Sequence, residues 1–147
     1  MSETAVRAIP GYVMRALMPA TLLLLLAACA PIQPPLEDRP ASGTPAVLAL
    51  TDNAATLLAD GEYDGASASL ERALRLEPRN PLLWYRLARV RLAQEAWREA
   101  ESLALRSLGL EDDPQLYRAN WELIAEARRG AHDREGVREA EARLRER

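Results

Sequence analysis

Residues 63–88 read YDGASASLERALRLEPRNPLLWYRLA, and this stretch decides the fold. Ala66, Leu70 and Ala73 recur at helical spacing, Pro78 closes the run, and Asn80-Pro81 opens a second run carrying Trp84, Leu87 and Ala88. A short polar side chain caps the free amides of a helix start. Proline is tolerated at the next position, where its missing N–H has no partner to lose. The same chemistry stands at Thr44-Pro45 and Asp113-Pro114, so the capped starts recur at nearly even intervals from Pro45 to Pro81 to Pro114. Leu50 and Trp84, Ala54 and Ala88, Tyr63 and Trp97, and Ala66 and Ala100 are four pairs that share a single offset. A period of roughly 34 residues marks stacked helix pairs. After Pro45 the β-branched residues are Val47, Thr51, Thr56, Val90, Ile124 and Val137, too few for a sheet, whereas Leu, Ala, Arg and Glu dominate.

The motif Trp84-x-x-Leu87-Ala88, with Ala66-x-x-x-Leu70-x-x-Ala73-x-x-x-x-Pro78 before it, resembles the tetratricopeptide repeat. The resemblance covers about residues 46–146 and implies an all-α superhelix of about three helical hairpins. Helices are expected near 46–59, 63–76, 81–94, 97–109, 114–129 and 133–146. Small residues at Ala54, Ala66, Ala88 and Ala100 let paired helices approach, and Leu50, Leu57, Leu70 and Trp84 fill the space beside them. The chain departs from the family pattern at Asn53, Arg91 and Asp112. The third unit is looser. Tyr117 and Trp121 fit its first helix, Gly136 and Ala140 its second, and the turn around Gly130 is expected to take about three extra residues. The last helix, with Glu139–Arg143 and Glu141–Arg145 pairs, suits a solvated cap.

Upstream, Leu22–Leu26 are five consecutive leucines inside an apolar run that extends from Ala16 to Ala28. The run falls well short of the roughly 20 residues a spanning helix needs, so it suits an export signal. Leu26-Ala27-Ala28-Cys29 resembles the bacterial lipobox, which implies cleavage before Cys29, a covalent lipid on its thiol and anchorage in a membrane. Ala30 follows where an aspartate would favour the inner membrane, so the resemblance points to the periplasmic face of the outer one. Glu3 is acidic where such signals are basic, whereas Met14-Arg15 supplies a basic lead, so translation is expected to begin at Met14. The resulting division is signal 1–28, lipidated tether 29–45 and repeat domain 46–147. Pro31, Pro34, Pro35, Pro40 and Pro45 stiffen the tether, whose fifteen residues after Ala30 reach about 45 Å when extended.

The residue pool is thin for chemistry. The 147-residue chain has one cysteine, one histidine and no lysine, so all 19 basic residues are arginine. One Cys excludes an internal disulfide and a multi-cysteine metal site. His132 lacks a second metal-ligating His and an activated nucleophile, and is expected to be a turn residue standing where Tyr63 and Trp97 do. Asp113 reads as a helix cap rather than part of a cation site with Glu111 and Asp112. Trp84, Trp97 and Trp121 sit at repeat positions and read as packing. No catalytic residue, metal or cofactor is expected beyond the lipid on Cys29. With net charge −3 and interleaved signs, no basic face argues for nucleic acid.

A surface remains. In the tetratricopeptide family the first helix of each pair lines a concave groove that holds a peptide or a partner helix. Carried over, the groove residues are Leu48, Thr51, Ala55 and Leu58, then Leu82, Tyr85, Arg89 and Leu92, then Gln115, Arg118, Glu122 and Glu126. Leu82, Tyr85, Arg89, Leu92, Arg118 and Glu122 are the principal candidates. The expected role is a lipid-anchored adaptor for a protein or peptide partner in envelope assembly. The alternatives are a self-associating structural lipoprotein and an activator of a cell-wall enzyme.

Overall fold

The computed structural model describes residues 43–146; the expected signal, Cys29 and nearly all of the tether lie outside them. Among the described residues there are six helices and no strand: α1 Pro45–Ala59, α2 Tyr63–Leu76, α3 Pro81–Ala93, α4 Trp97–Leu108, α5 Pro114–Gly130 and α6 Arg134–Arg145. Each packs on its sequence neighbours and α3 also touches α5, as in a stack of antiparallel hairpins. No helix is long and apolar enough to cross a membrane among the described residues.

The capping residues set the starts. Thr44, Asn80 and Asp113 each accept a backbone N–H with their side-chain oxygens, from Val47 at 3.4 Å, Leu82 at 3.1 Å and Gln115 at 2.8 Å. Asp133 does the same for α6, accepting from Gly136 at 2.9 Å. One turn closes all three hairpins. Gly61, Glu95 and His132 hold left-handed φ values of 77°, 59° and 61°. The next N–H reaches back to the helix in each case: Glu62 to the Leu57 carbonyl at 2.8 Å, Ala96 to Arg91 at 2.9 Å and Asp133 to Arg128 at 2.9 Å. This is the glycine-type helix stop, made twice without glycine.

The turn corrects the third-unit register. The interval from Glu95 to His132 is longer than that from Gly61 to Glu95. The helix before the third turn is longer too, since α5 has 17 residues against 13 in α3. The additional length is therefore helix at the start of α5, not a longer turn around Gly130. Trp121-x-x-Ile124-Ala125 becomes the counterpart of Trp84-x-x-Leu87-Ala88. The arginine stacking agrees, with Arg106 over Trp84 at 4.4 Å and Arg143 over Trp121 at 5.9 Å, each arginine the same step along the chain from its ring. His132 thus matches Glu95, and Arg134, not His132, matches Trp97. Gly130 lies inside α5, where a Cβ would come within 2.6 Å of the Trp97 ring.

Alanines 54, 66, 88, 100, 104, 125, 127 and 140 are buried where helices meet, and Leu70, Leu83, Val90 and Ile124 fill the core. Leu50, Leu57, Trp84 and Trp121 are partly buried against it. Two arginines clamp consecutive hairpins. Arg91 donates to Ser67 at 2.8 Å and pairs with Glu71 at 3.2 Å on α2 and Glu99 at 3.1 Å on α4. Arg128 pairs with Glu101 at 2.8 Å on α4, and with Glu139 at 3.1 Å and the Gly136 carbonyl at 2.8 Å on α6. Burial pushes the Arg128 guanidinium down, but the bonds and charges of Glu101 and Glu139 outweigh it, and its pKa ends above the ordinary value. Arg91, a departure from the repeat pattern, thus supplies polar bonds between hairpins.

Candidate functional site

Side chains of the odd-numbered helices meet on one side of the stack. There an open cleft of about 490 Å³ is bounded by Leu58 of α1, Tyr85, Arg89, Leu92 and Ala93 of α3, Trp97 at the start of α4, and Ala119, Glu122, Leu123 and Glu126 of α5. Helical spacing explains the grouping. Tyr85, Arg89 and Leu92 lie on one face at steps of four and three, as do Ala119, Glu122 and Glu126. Leu58, Leu92, Leu123 and Trp97 give an apolar lining, and the charges of Arg89, Glu122 and Glu126 stand over it. Half-buried Arg86 flanks this face. Burial pushes its guanidinium below the ordinary value, Asp52 pulls it back up and Arg89 pushes it down again, so three charged groups of α1 and α3 sense one another here.

Of the principal candidates, Tyr85, Arg89, Leu92 and Glu122 come together in the cleft, joined by Leu58 and Glu126 from the wider set. Tyr85 is only 7% exposed, so it is cleft floor as much as surface. Leu82 is buried in the core instead. Arg118 is exposed on α5 but outside the cleft, and the corrected register gives the reason: Glu122, not Arg118, occupies the α5 position equivalent to Tyr85. Thr51 is buried, its hydroxyl donating to the Leu48 carbonyl at 2.8 Å within its own helix. Leu48, Ala55 and Gln115 also lie outside the cleft. Sequence reasoning missed Trp97, Ala93, Ala119 and Leu123. The repeat offset from Tyr63 marked Trp97 as packing; it both packs on Gly130 and walls the cleft.

This arrangement offers shape, apolar area and charge of both signs, the components of protein recognition. Residues 57–120 match the sequence pattern of the tetratricopeptide repeat. With the hairpin stack, its repeated turn and the likeness below, the chain belongs to the tetratricopeptide-repeat family. Among solved structures it is similar to the globular C-terminal domain of P. aeruginosa LpoP, at 40% identity and a TM-score of 0.68. That match covers 71% of this chain and 99% of the other. No curated protein sequence matches the chain.

Proposed function

We propose that this chain is a non-catalytic lipoprotein adaptor, held at the periplasmic face of the outer membrane through Cys29, whose inner cleft docks a partner protein. The observation that carries the reading is the cleft itself: aromatic, aliphatic and charged side chains from four helices converge on one open cleft. Tyr, Trp and Arg, the residue types that dominate interface energetics, are all present there. Among the forms such an adaptor takes, activation of a cell-wall synthase is the one we favour. The support for it is the 40% identity to the LpoP domain over nearly that domain's whole length.

Two variants test the reading in cells. Ala119 lines the cleft at the edge of the core, and Ala119→Arg sends a long cationic side chain out across the cleft. It should abolish stimulation of cell-wall synthesis, measured as incorporation of a labelled D-amino acid, while leaving the melting temperature unchanged. Cys29→Ser removes the thiol that takes the lipid. It should lose labelled fatty acid, leave the membrane fraction and lower the same signal. Full wall labelling by a folded Ala119→Arg protein would refute docking through this cleft. Fatty acid on the Cys29→Ser protein would refute the anchor.

A further inference from the structure

We infer that the cleft selects a partner segment that is both apolar and cationic: a leucine-sized or aromatic side chain resting on Leu92, Leu123 and Trp97, with an arginine or lysine about one turn away set against Glu122 and Glu126. This rests on the docking reading above and adds the chemistry of what docks. Glu122 and Glu126 are both exposed on the cleft wall, four residues apart on one helix. Like charges at that spacing destabilise a helix. Some carboxylates elsewhere are bridged by arginine: Glu71 and Glu99 by Arg91, Glu101 and Glu139 by Arg128, and Glu146 by Arg143. Glu122 and Glu126 enter no such bridge among the described residues.

Two carboxylates stand against one guanidinium, Arg89, so the cleft lining carries a net negative charge. Its apolar floor lowers the local dielectric once an occupant excludes water, which strengthens a cation held there. An acidic segment would meet more repulsion than attraction at this wall. A purely apolar one would strip water from both carboxylates without replacing it. An apolar segment with a cation one turn on satisfies floor and wall together.

The test uses the full-length lipoprotein in a neutral detergent. The probe is a fluorescein-labelled, alanine-based helical peptide with leucines one turn apart and an arginine on the next turn; its twin carries glutamate there. Anisotropy should show the arginine peptide binding about tenfold more tightly, a difference of about 1.4 kcal/mol. Glu122→Gln with Glu126→Gln should shrink that preference to about twofold and leave the melting temperature in place, because both side chains are exposed. Raising the salt concentration should shrink it in the parent protein as well. Equal binding of the two peptides, preference for glutamate, or a preference that survives the double substitution overturns the inference. So does self-association that the double substitution abolishes, since the occupant would then be a second copy of the chain. The docking reading is judged separately. If Ala119→Arg loses wall labelling while the double variant keeps it, the cationic specificity falls and docking stands. If both variants keep it, both fall.

Discussion

The junction between the first and second hairpins and that between the second and third are built on the same arginine, one turn before the left-handed residue, yet they differ in depth. Arg91 has a side chain 21% exposed, and its partners Glu71 and Glu99 are 48% and 68% exposed. Arg128 is 12% exposed, and Glu101 is 27%. Arg91 bonds side chains alone, the buried Ser67 and two carboxylates that water also reaches. Arg128 additionally bonds a backbone carbonyl, that of Gly136, and so fixes the chain of α6 itself. The lesson is that one residue type in one register contributes unequal stability, set by what surrounds the charge.

That contrast can be broken directly. Arg128→Ala should have the largest effect, about 2–3 kcal/mol, because it leaves a half-sheltered carboxylate and a carbonyl without their donor. Hydrogen exchange should accelerate first in α6, and uniform loss of protection would contradict this. Gly130→Ala comes next. The added methyl meets the Trp97 ring, and overpacking of about 1–3 kcal/mol exceeds the helix-propensity gain of up to about 1 kcal/mol. The melting temperature should fall and the Trp97 emission should shift. Arg91→Ala should cost only about 1 kcal/mol, as exposed pairs do; thermal melts of the two arginine variants side by side would expose any equality. The smallest effect should be a gain. Glu95→Gly and His132→Gly relieve a left-handed residue of about 1–2 kcal/mol, less the chain entropy glycine adds, leaving about 0.5 kcal/mol each. Gly61→Ala, at φ 77°, should move the other way. Denaturant midpoints on these three would show whether the turns are equivalent.

The helices were legible because punctuation and period agreed. Thr44-Pro45, Asn80-Pro81 and Asp113-Pro114 fix starts chemically, and the expected bounds fall within two residues of those observed. The third register was not legible from the same signals. A capped proline marks where a helix begins and is silent about which turn packs against its neighbour. Tyr117 and Trp121 are four apart, so either could stand at the Trp84 position. The residues that resolve it, Arg106 over Trp84 and Arg143 over Trp121, announce themselves only through contact. The error carried into the cleft: it made Arg118 a groove residue and hid Leu123. Leu82 and Thr51 failed for another reason. Helical spacing assigns a face, but neighbouring helices decide how much of it they cover.

The added turn of α5 also has a consequence for how such a chain can change length. Four residues advance a helix by about 400°, which returns the following side chains to within about 40° of their former direction. Ile124, Ala125 and Ala127 therefore still point into the core after the enlargement. An insertion of one or two residues at the same place would turn them toward solvent and bring charged neighbours inward. Length variation at the start of α5 should thus be quantised near three or four residues, a spacing imposed by the pitch of the helix.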